Sequence, residues 1–111
     1  VPEVVEAVNG RAKVLVDGGF CRGTDIVKAI AYGADAVGIG KMYGLGAAAG
    51  GKEGVNRMLE ILEEEFRLTL ALLGVTNINE LTQDYLHPAE PVRSPAMSSA
   101  FPHFDLGNYD Y

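Results

Sequence analysis

Two short glycine turns hold the residues best suited to chemistry in this chain. The first, VDGGFCRG at residues 16–23, sets Asp17, Gly18, Gly19, Phe20, Cys21 and Arg22 in a row. The second, GIGKMYGLG at residues 38–46, places Gly40 directly before Lys41. Glycine turns lay bare backbone N–H groups, and a helix start adds unsatisfied donors and the positive end of a dipole, so together they attract anions. Arg22 beside the first turn and Lys41 beside the second add positive charge. The chemistry such a set serves is the holding of a phosphate group. A lone DGG would be weak grounds, because glycines also make tight turns for structural reasons and basic side chains are commonly solvated. A second glycine turn with its own lysine, about 20 residues on, argues that the two share one anion.

Other reactive side chains offer less. Cys21 is the single cysteine; beside a phosphate its thiolate is disfavoured, and it reads as small filler rather than a nucleophile. His87 and His103 lie in or beside a proline-rich segment without a second ligand at metal spacing, so neither is assigned a catalytic or metal role. The run Glu60, Glu63, Glu64, Glu65 reads as the solvated face of a helix. Tyr43 reads as packing, and Asp17 is expected to fix its loop by accepting backbone N–H bonds. No catalytic residue is assigned.

For the two turns to meet, the elements before them must run side by side. Val4, Val5 and Val8 recur at helical spacing up to Asn9-Gly10, which predicts a helix over residues 2–8. KVLV at 13–16 is an apolar, β-branched run between glycines, the pattern of a strand covered on both faces in a parallel sheet. Thr24 is expected to cap a helix with Ile26, Val27, Ile30 and Ala31 on one side, ending at Gly33. ADAVGIG, residues 34–40, predicts the second strand. After a short helix of small residues over 43–50, a long helix is expected from about Lys52 to Leu73, with Val55, Met58, Leu59, Leu62, Phe66, Leu70 and Leu73 at its apolar positions. TNINELTQDYL predicts one more short helix, with Asn77 and Glu80 as a capping box. Residues 87–111 hold four of the five prolines and are expected to form an extended arm, with FPHFDLGNYDY clasping a neighbouring subunit.

This order gives βαβα units, and turns leaving the carboxyl ends of adjacent parallel strands lie on one face of the sheet. Two such strands cannot close a core, so docking onto further βα units is expected. The arrangement is that of the phosphate site of a (β/α)8 TIM barrel, built from the loops after strands seven and eight and the start of a short extra helix. The expected fold is therefore α/β: the C-terminal part of such a barrel over residues 1–86, and the arm over 87–111. The start at Val1, without methionine and directly in helical pattern, fits a piece of a longer protein.

Composition narrows the partners. The chain has 111 residues, 48% of them hydrophobic and 22% charged, as in a globular protein. A formal charge of −6 with scattered lysines and arginines argues against nucleic acid. One cysteine permits no internal disulfide and suits a reducing compartment. No apolar stretch reaches the roughly 18 residues of a membrane span. A cytoplasmic protein is expected, with membrane association through other segments left open.

Over about residues 1–86, from VLVDGGFCRGTDIVKAIAYGADAVGIGKMYG to the long helix, the chain resembles the C-terminal part of the FMN-dependent 2-hydroxy acid oxidases and dehydrogenases. These include glycolate oxidase, lactate oxidase and mandelate dehydrogenase, and LTQDYL looks most like the last. The resemblance implies FMN as cofactor. Carried over by position, its phosphate would lie against Asp17, Gly18, Gly19, Phe20 and Cys21, and against Gly40 and Lys41, with Arg22, at the second arginine position, placed to swing in as a further cofactor-binding cation. Two departures stand out. The family usually has two arginines after DGG and a hydrophobic residue, the first reaching the phosphate; here that place is Cys21. Lys41 stands where the family usually has arginine, giving a point charge without a guanidinium fork.

The resemblance implies oxidation of a small 2-hydroxy acid to a 2-oxo acid. Its histidine base and its carboxylate-binding arginine lie in a His-Gly-Gly-Arg stretch absent from this sequence. A companion chain with the N-terminal part of the barrel is thus expected, in a homo-oligomer of four or more subunits. The rival readings are a nucleotide-phosphate barrel of the inosine-monophosphate dehydrogenase kind and a noncatalytic phosphate-binding or assembly subunit.

Overall fold

The computed structural model describes residues 1–89. Its elements are α1 (Pro2–Val8), β1 (Leu15–Asp17), α2 (Gly23–Ala31), β2 (Ala36–Gly38) and α3 (Lys41–Leu73). Two 3-10 turns follow, Ile78–Glu80 and Gln83–Tyr85. β1 and β2 pair in parallel, Leu15 with Ala36, Val16 with Val37 and Asp17 with Gly38. The chain is α/β, as the order of its apolar runs implies.

The strands are shorter than those runs because a side chain takes over their entrance. Asp35 accepts from the Val14 N–H at 2.8 Å and from Lys13 Nζ at 2.6 Å, and its own N–H donates to the Val14 carbonyl at 2.8 Å. The ladder thus begins at Leu15 instead of Lys13. At the other end Ile39 and Gly40 leave the sheet to start α3.

α2 is covered on two sides. Val27 and Ala31 join Val75 and Leu81 in a cluster with Ile30, Phe66, Leu70 and Leu86. Ala29 joins Phe20 and Ala34 in a second cluster, packed with Ile26 of the same helix against Val16, Val37 and Ile39 of the sheet side. The opposite sheet face is bare: Leu15 is 72% exposed, and Asp17 and Ala36 are exposed beside it.

α3 is broken where the sequence places GG. Gly50 (φ −159°, ψ 25°) and Gly51 (φ 55°, ψ −133°) leave helical geometry, which separates a first arm over 41–49 from a second over 52–73. The expected short helix therefore exists and starts at once after Gly40. The arms cross closely at two glycines. A Cβ on Gly46 would lie 3.0 Å from the Gly54 carbonyl oxygen, and one on Gly54 would run into the Gly46 carbonyl. A side chain at Gly54 would push the arms apart, whereas a methyl at Gly46 would need its neighbours to give by only a few tenths of an ångström.

The segment after α3 differs from the single capped helix expected. Asn77 Oδ1 accepts from Asn79 N–H at 2.9 Å, while Glu80 turns back to Thr76, accepting from its hydroxyl at 2.9 Å. Leu81 is buried in the α2–α3 cluster with extended backbone, and that anchoring splits the segment into two turns. Of the arm expected over 87–111, residues 90–111 lie outside the described residues.

Candidate functional site

In-register pairing of Asp17 with Gly38 sends both chains off the sheet side by side, a strand spacing of about 4.8 Å apart. The first residues beyond are Gly18 and Gly19 on one strand, Ile39 and Gly40 on the other. Gly18 (φ 94°) and Gly19 (φ 82°) both lie in the left-handed region, where a Cβ is strained, so the turn demands glycine twice. A Cβ built on Gly18, Gly19 or Gly40 would meet nothing within 4 Å. No described atom crowds these three glycines on their Cβ side.

The first arm of α3 begins at the second turn. Gly40 is its N-cap and supplies no side-chain cap, and the first turn holds no acidic residue. The Gly44 N–H bonds the Gly40 carbonyl at 3.0 Å, so the helical ladder does not use the amides before it. Those donors and the positive dipole end suit an anion. Lys41 stands in that first turn and is exposed. The chemistry of this set suits an FMN phosphate: glycine amides, a helix start and a lysine follow two paired strand ends, and no described atom crowds the three glycines.

The start of α2 is arranged differently. Asp25 accepts from the N–H groups of Cys21 at 3.0 Å and Arg22 at 2.9 Å. Glu65, from the second arm of α3, accepts from the Gly23 N–H at 2.8 Å. The same carboxylate takes the Arg22 guanidinium, Nε to Oε1 at 2.8 Å and to Oε2 at 3.1 Å, with a further contact from Nη2 to Oε1 at 2.8 Å. The hydrogen bond from Arg22 and then that from Gly23 hold Glu65 below the ordinary carboxylate range, and Glu65 in turn raises Arg22. Gly23 is buried here because α3 lies directly on it; a Cβ would come within 2.6 Å of Glu65 Cβ.

Of the residues singled out in the sequence, Gly18 and Gly19 follow one of the two paired strand ends, and Gly40 and Lys41 follow the other. The Phe20 side chain is buried in the core, so only its backbone faces the turn. Cys21 is half-buried. Asp17 accepts no hydrogen bond from the described residues, contrary to expectation; its carboxylate lies over Gly38, where a Cβ would come within 2.8 Å of it. Glu65 went unremarked as a partner because helical spacing groups it with the solvated glutamates, and its contact with Arg22 spans 43 positions. The arginine–glutamate pair at the head of α2 has no local sequence signal.

A cleft of about 360 Å³ between Val5, Val8, Lys13, Val14 and Asp35 opens at the entrance ends of the strands, away from the glycine turns. It brings no set of polar side chains beyond the Lys13–Asp35 pair. No group of three or more metal-ligating side chains occurs among the described residues, and none of their helices is long and apolar enough to cross a membrane.

Comparison with known proteins agrees with the fold and with the turns. L-lactate oxidase of a Nostoc species is 46% identical over 87 residues, covering 78% of this chain and 24% of that protein. Human 2-hydroxyacid oxidase 1 is 51% identical over 78 residues, covering 70% and 21%. A soluble mutant of the membrane-associated (S)-mandelate dehydrogenase from Pseudomonas putida superposes with a TM-score of 0.72 at 41% identity, covering 78% and 25%. The chain thus spans about a quarter of the length of these relatives. The sequence model of the FMN-dependent dehydrogenases matches residues 1–88, which include both glycine turns and all of α3. On that match, the chain belongs to the FMN-dependent dehydrogenase family.

Proposed function

We propose that this chain forms the phosphate end of an FMN site in an enzyme that oxidises a 2-hydroxy acid to a 2-oxo acid. The observation that carries the reading is the in-register parallel pair whose two ends lead into Gly18-Gly19 and Gly40, which no described atom crowds. The backbone amides of the first turn and the start of α3 bind the phosphate oxygens, and Lys41 adds charge. Phe20, fixed in the core, holds the first turn against the sheet. Bound FMN supplies the acceptor for the two electrons that leave the hydroxyl-bearing carbon. The names of the relatives, an L-lactate oxidase and a 2-hydroxyacid oxidase, support that substrate class.

The exposed face of β1 and β2 packs against the remaining βα units of a TIM barrel. Those units, on a companion chain, carry the histidine that removes the substrate proton and the arginine that grips its carboxylate. A neutral imidazole suits proton removal near neutral pH, and guanidinium matches a carboxylate bidentately.

The test is spectroscopic. The intact protein should purify with the visible absorption of a flavin, and that band should bleach when a 2-hydroxy acid is added without oxygen. A colourless intact protein that takes up no FMN would refute the reading.

A further inference from the structure

We propose that Arg22 is a positioning residue for the phosphate turn and not a phosphate ligand, and that it acts through Glu65. The inference rests on the FMN site above and concerns which cations and amides serve it. Three observations separate the start of α2 from the start of α3. Three successive amides leading into α2 are already taken, Cys21 and Arg22 N–H by Asp25 and Gly23 N–H by Glu65. Two carboxylates therefore stand where a phosphate would have to come, and like charges at such range repel. There is also no room, since Gly23 is packed directly on the backbone of α3 at Glu65 and Phe66. Among the described residues the start of α3 shows neither obstacle: its first turn holds no acidic residue, and a Cβ built on Gly40 would meet nothing within 4 Å.

Arg22 is engaged by both oxygens of Glu65. To reach an anion at Gly18-Gly19 it would have to leave a two-oxygen pairing and abandon the carboxylate that also holds Gly23. Left in place, the pair ties the end of the first glycine turn to the second arm of α3. The first arm of that same helix starts the second turn. Arg22 thereby fixes one turn relative to the other.

A sign distinguishes this role from direct binding. If Arg22 were a ligand, neutralising Glu65 would free it and remove a nearby negative charge, so FMN would bind more tightly. If Arg22 acts through Glu65, the same change loosens the turn and FMN binds less tightly. The experiment measures dissociation constants of FMN and riboflavin for the intact protein and its variants, freed of flavin. Wild type should prefer FMN. Arg22→Gln and Glu65→Gln should each weaken FMN about threefold while leaving riboflavin unchanged, and the double variant should be no worse than either. Lys41→Gln should add its own loss to that of Glu65→Gln. Should Glu65→Gln not fold, Glu65→Asp, which keeps the charge and shortens the reach, should weaken FMN in the same way.

Tighter or unchanged FMN binding in the Glu65 variants, alongside weaker binding in Arg22→Gln, would overturn the proposal and make Arg22 a ligand. Equal weakening of both flavins would overturn it too, reducing the pair to a general support of the fold. A wild type that binds riboflavin as well as FMN would instead refute the phosphate site itself, and the role of Arg22 with it.

Discussion

Arg22 and Lys41 carry the same charge beside similar turns, yet their surroundings differ. Arg22 faces Glu65, whereas Lys41 begins a helix whose first turn is free of acids. Lys41→Glu should therefore expel FMN by setting negative charge against the phosphate; unchanged flavin content would show the site to be elsewhere. Carboxylates also set the acid limit of the fold. Asp35 is held below the ordinary carboxylate range by Lys13 and the Val14 N–H, as Glu65 is by Arg22 and Gly23. A depressed value means that the ion is favoured in the folded state. That stability is complete above the unfolded carboxylate value of about 4 and is lost as pH falls through the lower, folded value. Asp35→Asn should flatten the fall of melting temperature below about pH 4; an unchanged acid limb would contradict the assignment. The glycine turns were legible at this scale because φ above zero leaves few alternatives to glycine. Glu65 was not, because its partner is 43 positions away.

Among the elements, the broken α3 decides where the second turn points. The break itself was readable as Gly50-Gly51 between a run of small residues and an amphipathic helix. The packing of one arm on the other was not, since nothing local says that Gly46 and Gly54 meet. Gly54→Ala puts a methyl into the Gly46 carbonyl, while Gly46→Ala makes a tighter but tolerable contact at 3.0 Å. Gly54→Ala should cost about 1–3 kcal/mol of stability by overpacking and should weaken FMN, with Gly46→Ala milder in both. Thermal melting and FMN titration check this, and an order reversed between the two variants would refute the described crossing. Strand limits were misjudged for a similar reason. Asp35, the polar residue near the start of the ADAVGIG run, replaces the first ladder bonds with its side chain.

At the scale of the whole molecule, the described residues are one face short of a closed core. Leu15 stands 72% exposed on the bare side of a two-stranded sheet, next to Ala36. Residues 1–89 alone should bind a hydrophobic dye and melt without a sharp transition; a cooperative melt and no dye binding would show the face needs no cover. Parallel pairing was legible because two apolar runs alternate with helical ones, whereas no described residue covers their outer face. The central claim is that one phosphate sits between the two glycine turns, and a crystal structure of the FMN-loaded intact protein tests it most directly. The phosphorus should lie within hydrogen-bonding reach, through its oxygens, of the Gly18-Gly19 turn and the start of α3. A phosphate found at the start of α2, or in the cleft by Val14 and Asp35, would contradict the account.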